Sequence, residues 1–144
     1  MEIVFLGSGT SCGVPVIGCE CEVCTSDNPR NNRTRSSLHV ETSECNFIID
    51  TSPEFRLQLL RENISTVDFI LFTHAHADHI MGLDDIRPLN KNNSSDGSGE
   101  PLDCYAKPET AERIKQAFDY IFEDTPNESW KPQINLETIT SQRE

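Results

Sequence analysis

The chain has 144 residues, enough for one domain with a modest core. Apolar residues make up 35% and charged residues 25%, with a mean hydropathy of −0.49, the composition of a soluble globular protein. The 24 Asp and Glu against 12 Lys and Arg leave a net charge of −12, which argues against a broad basic surface for nucleic acid, and no apolar run approaches the ~18 residues of a membrane span.

The opening Met-Glu-Ile-Val-Phe-Leu lacks a basic segment followed by a long apolar one, so no secretory signal is expected. The expected compartment is the cytoplasm, where the six cysteines read as thiols or metal ligands rather than disulfides. Residues 1–6 read as a first strand ended by Gly7-Ser8-Gly9-Thr10. A lone Gly-x-Gly is weak evidence for phosphate binding and more often a turn. Residues 11–35 form an irregular segment rich in Gly, Pro, Cys, Asn and Arg, long enough to need a function or a cross-link.

Ser36 to Thr42 and Asn46 to Asp50 read as a hairpin through Ser43-Glu44, with Leu38 and Val40 inward and His39 and Glu41 outward. His39 is thus expected as a surface strand residue. Ser52-Pro53-Glu54 starts a helix with a Ser cap, a proline in the first turn and an early acid. That helix runs to about Asn63, with Phe55, Leu59 and Leu60 on one side. Val67 to Phe72 reads as a strand buried on both faces. Residues 90–100 read as a flexible surface loop, and Leu102–Ala106 as a short strand. A helix over Glu109–Phe122 places Ala111, Ile114, Phe118 and Ile121 on one face, and Ile134 to Thr140 begins another strand. Strands and helices interleave, so the class mixes α and β.

The chemistry concentrates after the most apolar strand, in His74-Ala75-His76-Ala77-Asp78-His79. Imidazole nitrogen suits zinc, and carboxylate suits zinc or manganese. Ligand sites in α/β folds gather at the carboxyl ends of strands, where this cluster falls. A non-helical turn would send His74 and His76 one way and Asp78 and His79 another, so that one segment reaches two metals.

Thr73-His74-Ala75-His76-Ala77-Asp78-His79 resembles the H-x-H-x-D-H signature of the metallo-β-lactamase superfamily. The resemblance implies an α+β fold, the αββα metallo-β-lactamase sandwich, of which this chain would be the N-terminal half. It implies that His74 and His76 bind one ion and Asp78 and His79 a second, zinc or manganese. A metal-bound hydroxide would be the nucleophile, and Asp78 would also orient or deprotonate the water. Asp50, at the end of Ile48-Ile49-Asp50, looks like the strand-ending aspartate that supports the metal ligands from behind; a helix-capping role before Ser52-Pro53 is the other reading.

Cys19-Glu20-Cys21-Glu22-Val23-Cys24 is C-x-C-x2-C, three thiolates close enough to share a structural zinc, which would also order residues 11–35. Unconnected cysteines or a redox pair are the alternatives. Cys12, Cys45 and Cys104 are expected as small buried apolar residues. Gly7 to Pro15, the cysteine cluster and Arg33-Thr34-Arg35-Ser36-Ser37 together are similar to the branch containing the phosphoribosyl cyclic phosphate phosphodiesterases of phosphonate breakdown. That branch implies a fourth zinc ligand, a histidine near the C-terminus. Arg33, Arg35 and Arg87 could each meet a phosphate, with ion pairs an equal alternative.

No histidine follows His79, so the further ligands of this superfamily cannot all be present, and the chain is expected to be an inactive N-terminal fragment. The leading function is a binuclear phosphodiesterase acting on a small cyclic or nucleotide-like phosphodiester, without membrane or nucleic-acid partners and with a homodimer left open. The alternatives are a transfer RNA 3′-processing endonuclease and a non-catalytic metal-binding or cofactor-pathway protein.

Overall fold

Six strands among the described residues pair in the order in which the chain makes them. They are β1 (Glu2–Gly7), β2 (Ser37–Glu41), β3 (Asn46–Ile49), β4 (Phe69–Phe72), β5 (Leu102–Ala106) and β6 (Ile134–Thr138). The structure, a computed structural model, describes residues 1–93, 99–123 and 131–140. The pairs β1–β2 and β2–β3 are antiparallel, and β3–β4, β4–β5 and β5–β6 are parallel. Strands β1 and β3 to β6 therefore end at the same edge of the sheet.

Each parallel step is a crossover through helix. Helix α1 (Phe55–Glu62) links β3 to β4; α2 (Ala77–Ile80), a 3-10 turn at Leu83–Ile86 and α3 (Arg87–Asn93) link β4 to β5; α4 (Pro108–Ala117) and α5 (Asp119–Phe122) link β5 to β6. Crossovers of one hand that always step in one direction stack their helices on one face of the sheet. The core lies between that face and the helices: Ile48, Ile70 and Cys104 lie side by side in register and pack against Phe55, Leu59, Ile80, Leu83, Ile86 and Ile114.

The opposite face is half open. In register it carries Val40, Phe47 and Phe69 in one row and Phe5, Leu38, Ile49, Leu71 and Tyr105 in the next. Phe47 and Phe69 stack at 4.7 Å, Tyr105 meets Phe69 edge-on at 5.7 Å, and Phe5 is 68% exposed. Strand β4 accordingly buries Ile70 and Phe72 while Phe69 and Leu71 stay half-buried, so it is not buried on both faces.

This two-faced sheet corrects the hairpin reading. Leu38 and Val40 do point together, but toward the open face. His39 sits between Val4 and Ile48 on the helix-covered face, buried at 8% exposure, with Nε2 lacking a hydrogen-bond partner. Alternation tells which residues share a face, not which face an added layer covers.

Other departures are local. Helix α1 buries Phe55, Gln58 and Leu59 but leaves Leu60 60% exposed, because Leu60 lies one residue around the helix from the buried stripe. Ser52 is not the formal cap, although its hydroxyl accepts the Glu54 N–H at 3.3 Å. Helix α3 runs through Asn93, so residues 90–93 are helical rather than loop; residues 94–98 of that expected loop lie outside the described residues. Asn90 explains why: its buried amide donates to Glu100 O and Gln133 O and its oxygen accepts from Gln133 N. The expected helix over 109–122 breaks at Phe118 (φ −128°, ψ 44°), yet Ala111, Ile114, Phe118 and Ile121 are all buried as the periodicity requires. Cys104 is buried in the core, Cys45 is half-buried, and Cys12 is exposed, contrary to the expectation of a buried residue. No helix among the described residues is long and apolar enough to cross a membrane.

Candidate metal centre

The metal-capable motif begins where β4 ends. Asp50 N–H donates to Leu71 O at 2.9 Å, holding the end of β3 beside the end of β4. Thr51 N–H then donates to His79 O at 2.8 Å, and Gly82 N–H donates to Thr51 O at 3.0 Å. Backbone bonds alone thus pin the segment 73–82 across the sheet edge. The close approach requires Gly82, since a Cβ there would lie 2.2 Å from Ser52 O and 2.5 Å from Phe55 Cβ.

His74 and His76 lie in extended chain, while Asp78 and His79 sit in the single turn of α2, with His76 at its N-cap (φ −69°, ψ 150°). The segment is therefore not the wholly non-helical turn expected; a helical turn places Asp78 and His79. The rings gather closely: His74 is 4.6 Å from His76 and 4.0 Å from His79 between centroids. His79 Nε2 lies 3.3 Å from Asp78 Oδ2. Two ligands on one tetrahedral zinc, at bonds of about 2.0–2.1 Å, stand roughly 3.3 Å apart, so this pair already has the spacing of two ligands sharing one ion.

Asp50 is buried at 4% exposure with a left-handed backbone, φ 63°. Its carboxylate turns toward the motif and not toward α1. Oδ1 accepts the Thr73 N–H at 2.8 Å; Oδ2 meets Thr73 Oγ1 at 2.7 Å and His79 Nδ1 at 2.7 Å. A carboxylate only accepts, so His79 carries a proton on Nδ1, which leaves Nε2, 3.3 Å from Asp78 Oδ2, as the nitrogen that would face a metal. That is the tautomer a metal ligand at Nε2 needs. Thr73 Oγ1 also stands 3.0 Å from His74 Nδ1.

Among the described residues, the set of three or more metal-capable side chains whose ligand atoms all lie within 4.8 Å of one another is Cys19, Cys21 and Cys24. The loop that holds them is tied to the sheet by the bridges Gly9–Arg35 and Val14–Arg33. Val16 N–H donates to Cys24 Sγ at 3.4 Å. The Cys24 amide, then the Cys19 and Cys24 thiols, draw the exposed Cys21 thiol down to about 7. At Cys24 the Val16 amide pulls the same way, but partial desolvation and the two neighbouring thiols outweigh it and raise that group. Three thiols gathered within 4.8 Å of one another are a set that a zinc ion could hold outright as thiolates.

Of Arg33, Arg35 and Arg87, the last two are engaged structurally. Arg35 pairs with Glu54 and donates from Nε to Ser11 O at 3.1 Å, and Arg87 pairs with Asp84. Gln58, fully buried, donates to Thr34 Oγ1 and Arg35 O, both at 2.9 Å. The contact made by Thr73 was not legible in the motif; its one signal is a hydroxyl residue directly ahead of the first histidine at a strand end.

The model of the β-lactamase superfamily domain matches residues 45–143. The chain belongs to this family. Its fold is the metallo-β-lactamase fold, and the solved structure of a new diphosphatase from the PhnP family is similar to it at 41% identity and a TM-score of 0.83, covering 97% of this chain and 50% of that one. The octanoyltransferase of Porphyromonas gingivalis is 39% identical over 127 residues, 88% of this chain and 24% of that protein. The coenzyme PQQ synthesis protein B of Methylorubrum extorquens is 30% identical over 122 residues, 75% of this chain and 38% of that protein. This member of the superfamily therefore spans half or less of the length of the relatives it matches.

Proposed function

We propose that the protein is a binuclear metal-dependent phosphodiesterase acting on a small cyclic or nucleotide-like phosphodiester. His74 and His76 would hold one divalent ion and Asp78 and His79 the other, with Cys19, Cys21 and Cys24 holding a structural zinc. The observation that carries this reading is the pairing of Asp78 Oδ2 and His79 Nε2 at ligand spacing, with His79 Nδ1 held by Asp50. The likeness to a PhnP-family diphosphatase supports phosphoryl chemistry over β-lactam or thioester hydrolysis.

When bound, the ions would supply an acidified water as nucleophile and positive charge beside the phosphoryl oxygens. Asp78 would orient the attacking water and take its proton. Asp50 would hold His79 in place from behind, and the backbone bonds from Thr51 and to Gly82 would keep the motif against the sheet edge. A net charge of −12 repels a phosphodiester at long range, so local charge at the ions, not general steering, must draw the substrate in.

The test is hydrolysis of bis(p-nitrophenyl) phosphate by the whole protein with added manganese or zinc, alongside metal analysis. Turnover that disappears in His76→Ala supports the reading. Protein carrying two ions per site without turnover would overturn it in favour of a metal-binding role.

A further inference from the structure

We infer that Thr73 is a positioning residue through which one buried carboxylate, Asp50, sets the tautomer and ring orientation of a histidine in each half of the metal quartet. The argument is a count of protons. Asp50 Oδ2 accepts from both Thr73 Oγ1 and His79 Nδ1, each at 2.7 Å. A hydroxyl has a single proton, and that of Thr73 is committed to a carboxylate that has none to give. Thr73 Oγ1 can therefore meet His74 Nδ1, 3.0 Å away, only as an acceptor. His74 must then carry a proton on Nδ1, as His79 does, which leaves Nε2 of each ring as the nitrogen that would meet an ion.

The hydroxyl is held in this position on two sides. Thr73 N–H is bonded to the other oxygen of the same carboxylate at 2.8 Å, and a β-branched side chain is stiff about its first torsion. Asp50 is buried and anchored in turn through its own N–H to Leu71 O. An exposed threonine that merely ended β4 would leave its hydroxyl to water; this one bridges a carboxylate to an imidazole. The consequence for metal binding rests on the function proposed above, but the tautomer assignment does not. On that reading the two ion sites share one orienting group, reaching His79 directly and His74 through Thr73.

The test uses the metal-free chain labelled with nitrogen-15, at a pH where the imidazoles are neutral. Long-range proton–nitrogen correlation reads the tautomer of each ring. In the native chain and in Thr73→Ser, which keeps the hydroxyl, His74 should be predominantly Nδ1–H. In Thr73→Val, which keeps the shape and removes the hydroxyl, His74 should lose that form as its dominant state while His79 keeps it. Competition with a chromophoric chelator should show zinc affinity weakened about tenfold in the valine variant and restored by serine. A valine variant with His74 unchanged overturns the inference, as does one in which His79 changes equally. Should that variant not fold, Thr73→Ala carries the same test. If the tautomers behave as stated but the native chain binds no zinc at the quartet, the metal reading fails and the role of Thr73 stands.

Discussion

Replacing Asp50 by asparagine keeps the size of the side chain and its tolerance of a left-handed backbone (φ 63°), so the chain trace should survive. What changes is the acceptor. The carboxylate takes three bonds, from Thr73 N at 2.8 Å and from Thr73 Oγ1 and His79 Nδ1 at 2.7 Å each. An amide oxygen in place of Oδ1 still accepts the first. An amide nitrogen in place of Oδ2 is a donor facing two donors. The hydroxyl can rotate, but His79 must accept at Nδ1, which moves its proton to Nε2 and removes the lone pair that an ion at Nε2 would need. Two charge-assisted bonds become neutral ones, each weaker by about 1 kcal/mol, so Asp50→Asn should lower the unfolding free energy by about 2 kcal/mol. Zinc affinity at the Asp78–His79 pair should fall by roughly 10- to 100-fold. Urea unfolding of the metal-free chain reads the first quantity and chelator competition the second. A variant that loses the stability but binds zinc as tightly as the native chain would refute the argument, since Asp50 would then only brace the fold.

Gly82→Ala should lower the unfolding free energy by roughly 3 kcal/mol, because its Cβ would lie 2.2 Å from the Ser52 carbonyl oxygen and backbone must move; the urea midpoint reads it. Ile114→Ala, truncating a side chain with no exposure at the centre of α4, should cost about 2–5 kcal/mol by the same assay without changing zinc binding. In the metal-free chain Cys21 should be alkylated first among the cluster. Its thiol is drawn down to about 7, so the reactive thiolate accumulates as pH rises through that value while Cys24, raised, ionises later. Peptide mapping after brief iodoacetamide treatment across pH would show that order, and prior addition of zinc should abolish the labelling of all three cysteines.

How much of this could be read from residues alone depended on whether the information was local. Leu102–Ala106 was legible to its ends, because turn residues bound it and its alternation meets a buried face. The stripe of Ala111, Ile114, Phe118 and Ile121 survived a break in the helix, since burial follows side-chain period more than unbroken backbone. The closeness of the His74, His76 and His79 rings and the Asp78–His79 contact could be anticipated, because all four residues fall within six positions of one segment. His39 was not, because its environment is made by β1, β3 and the layer of helices, none of which its own neighbours specify. Nor was the helix at 90–93: a string of Asn and Lys reads as loop until the bonds from Asn90 to Glu100 and Gln133 are seen. The carboxylate of Asp50 left two readings open, since 23 residues separate it from the threonine it holds.

The sheet has one further property, which concerns how it can form. Among the described residues its spatial order repeats its order in the chain, so each strand there joins an edge left by the one before, and none of them is inserted between two already paired. Every pairing is thus available as soon as the next strand is synthesised, and each loop to be closed is bounded by a single hairpin or crossover. Vectorial growth from β1 would expose only one unsatisfied edge on the advancing side. In that sequence β3 and Asp50 are in place before β4 delivers the histidines, so the orienting carboxylate waits for the ligands it will hold.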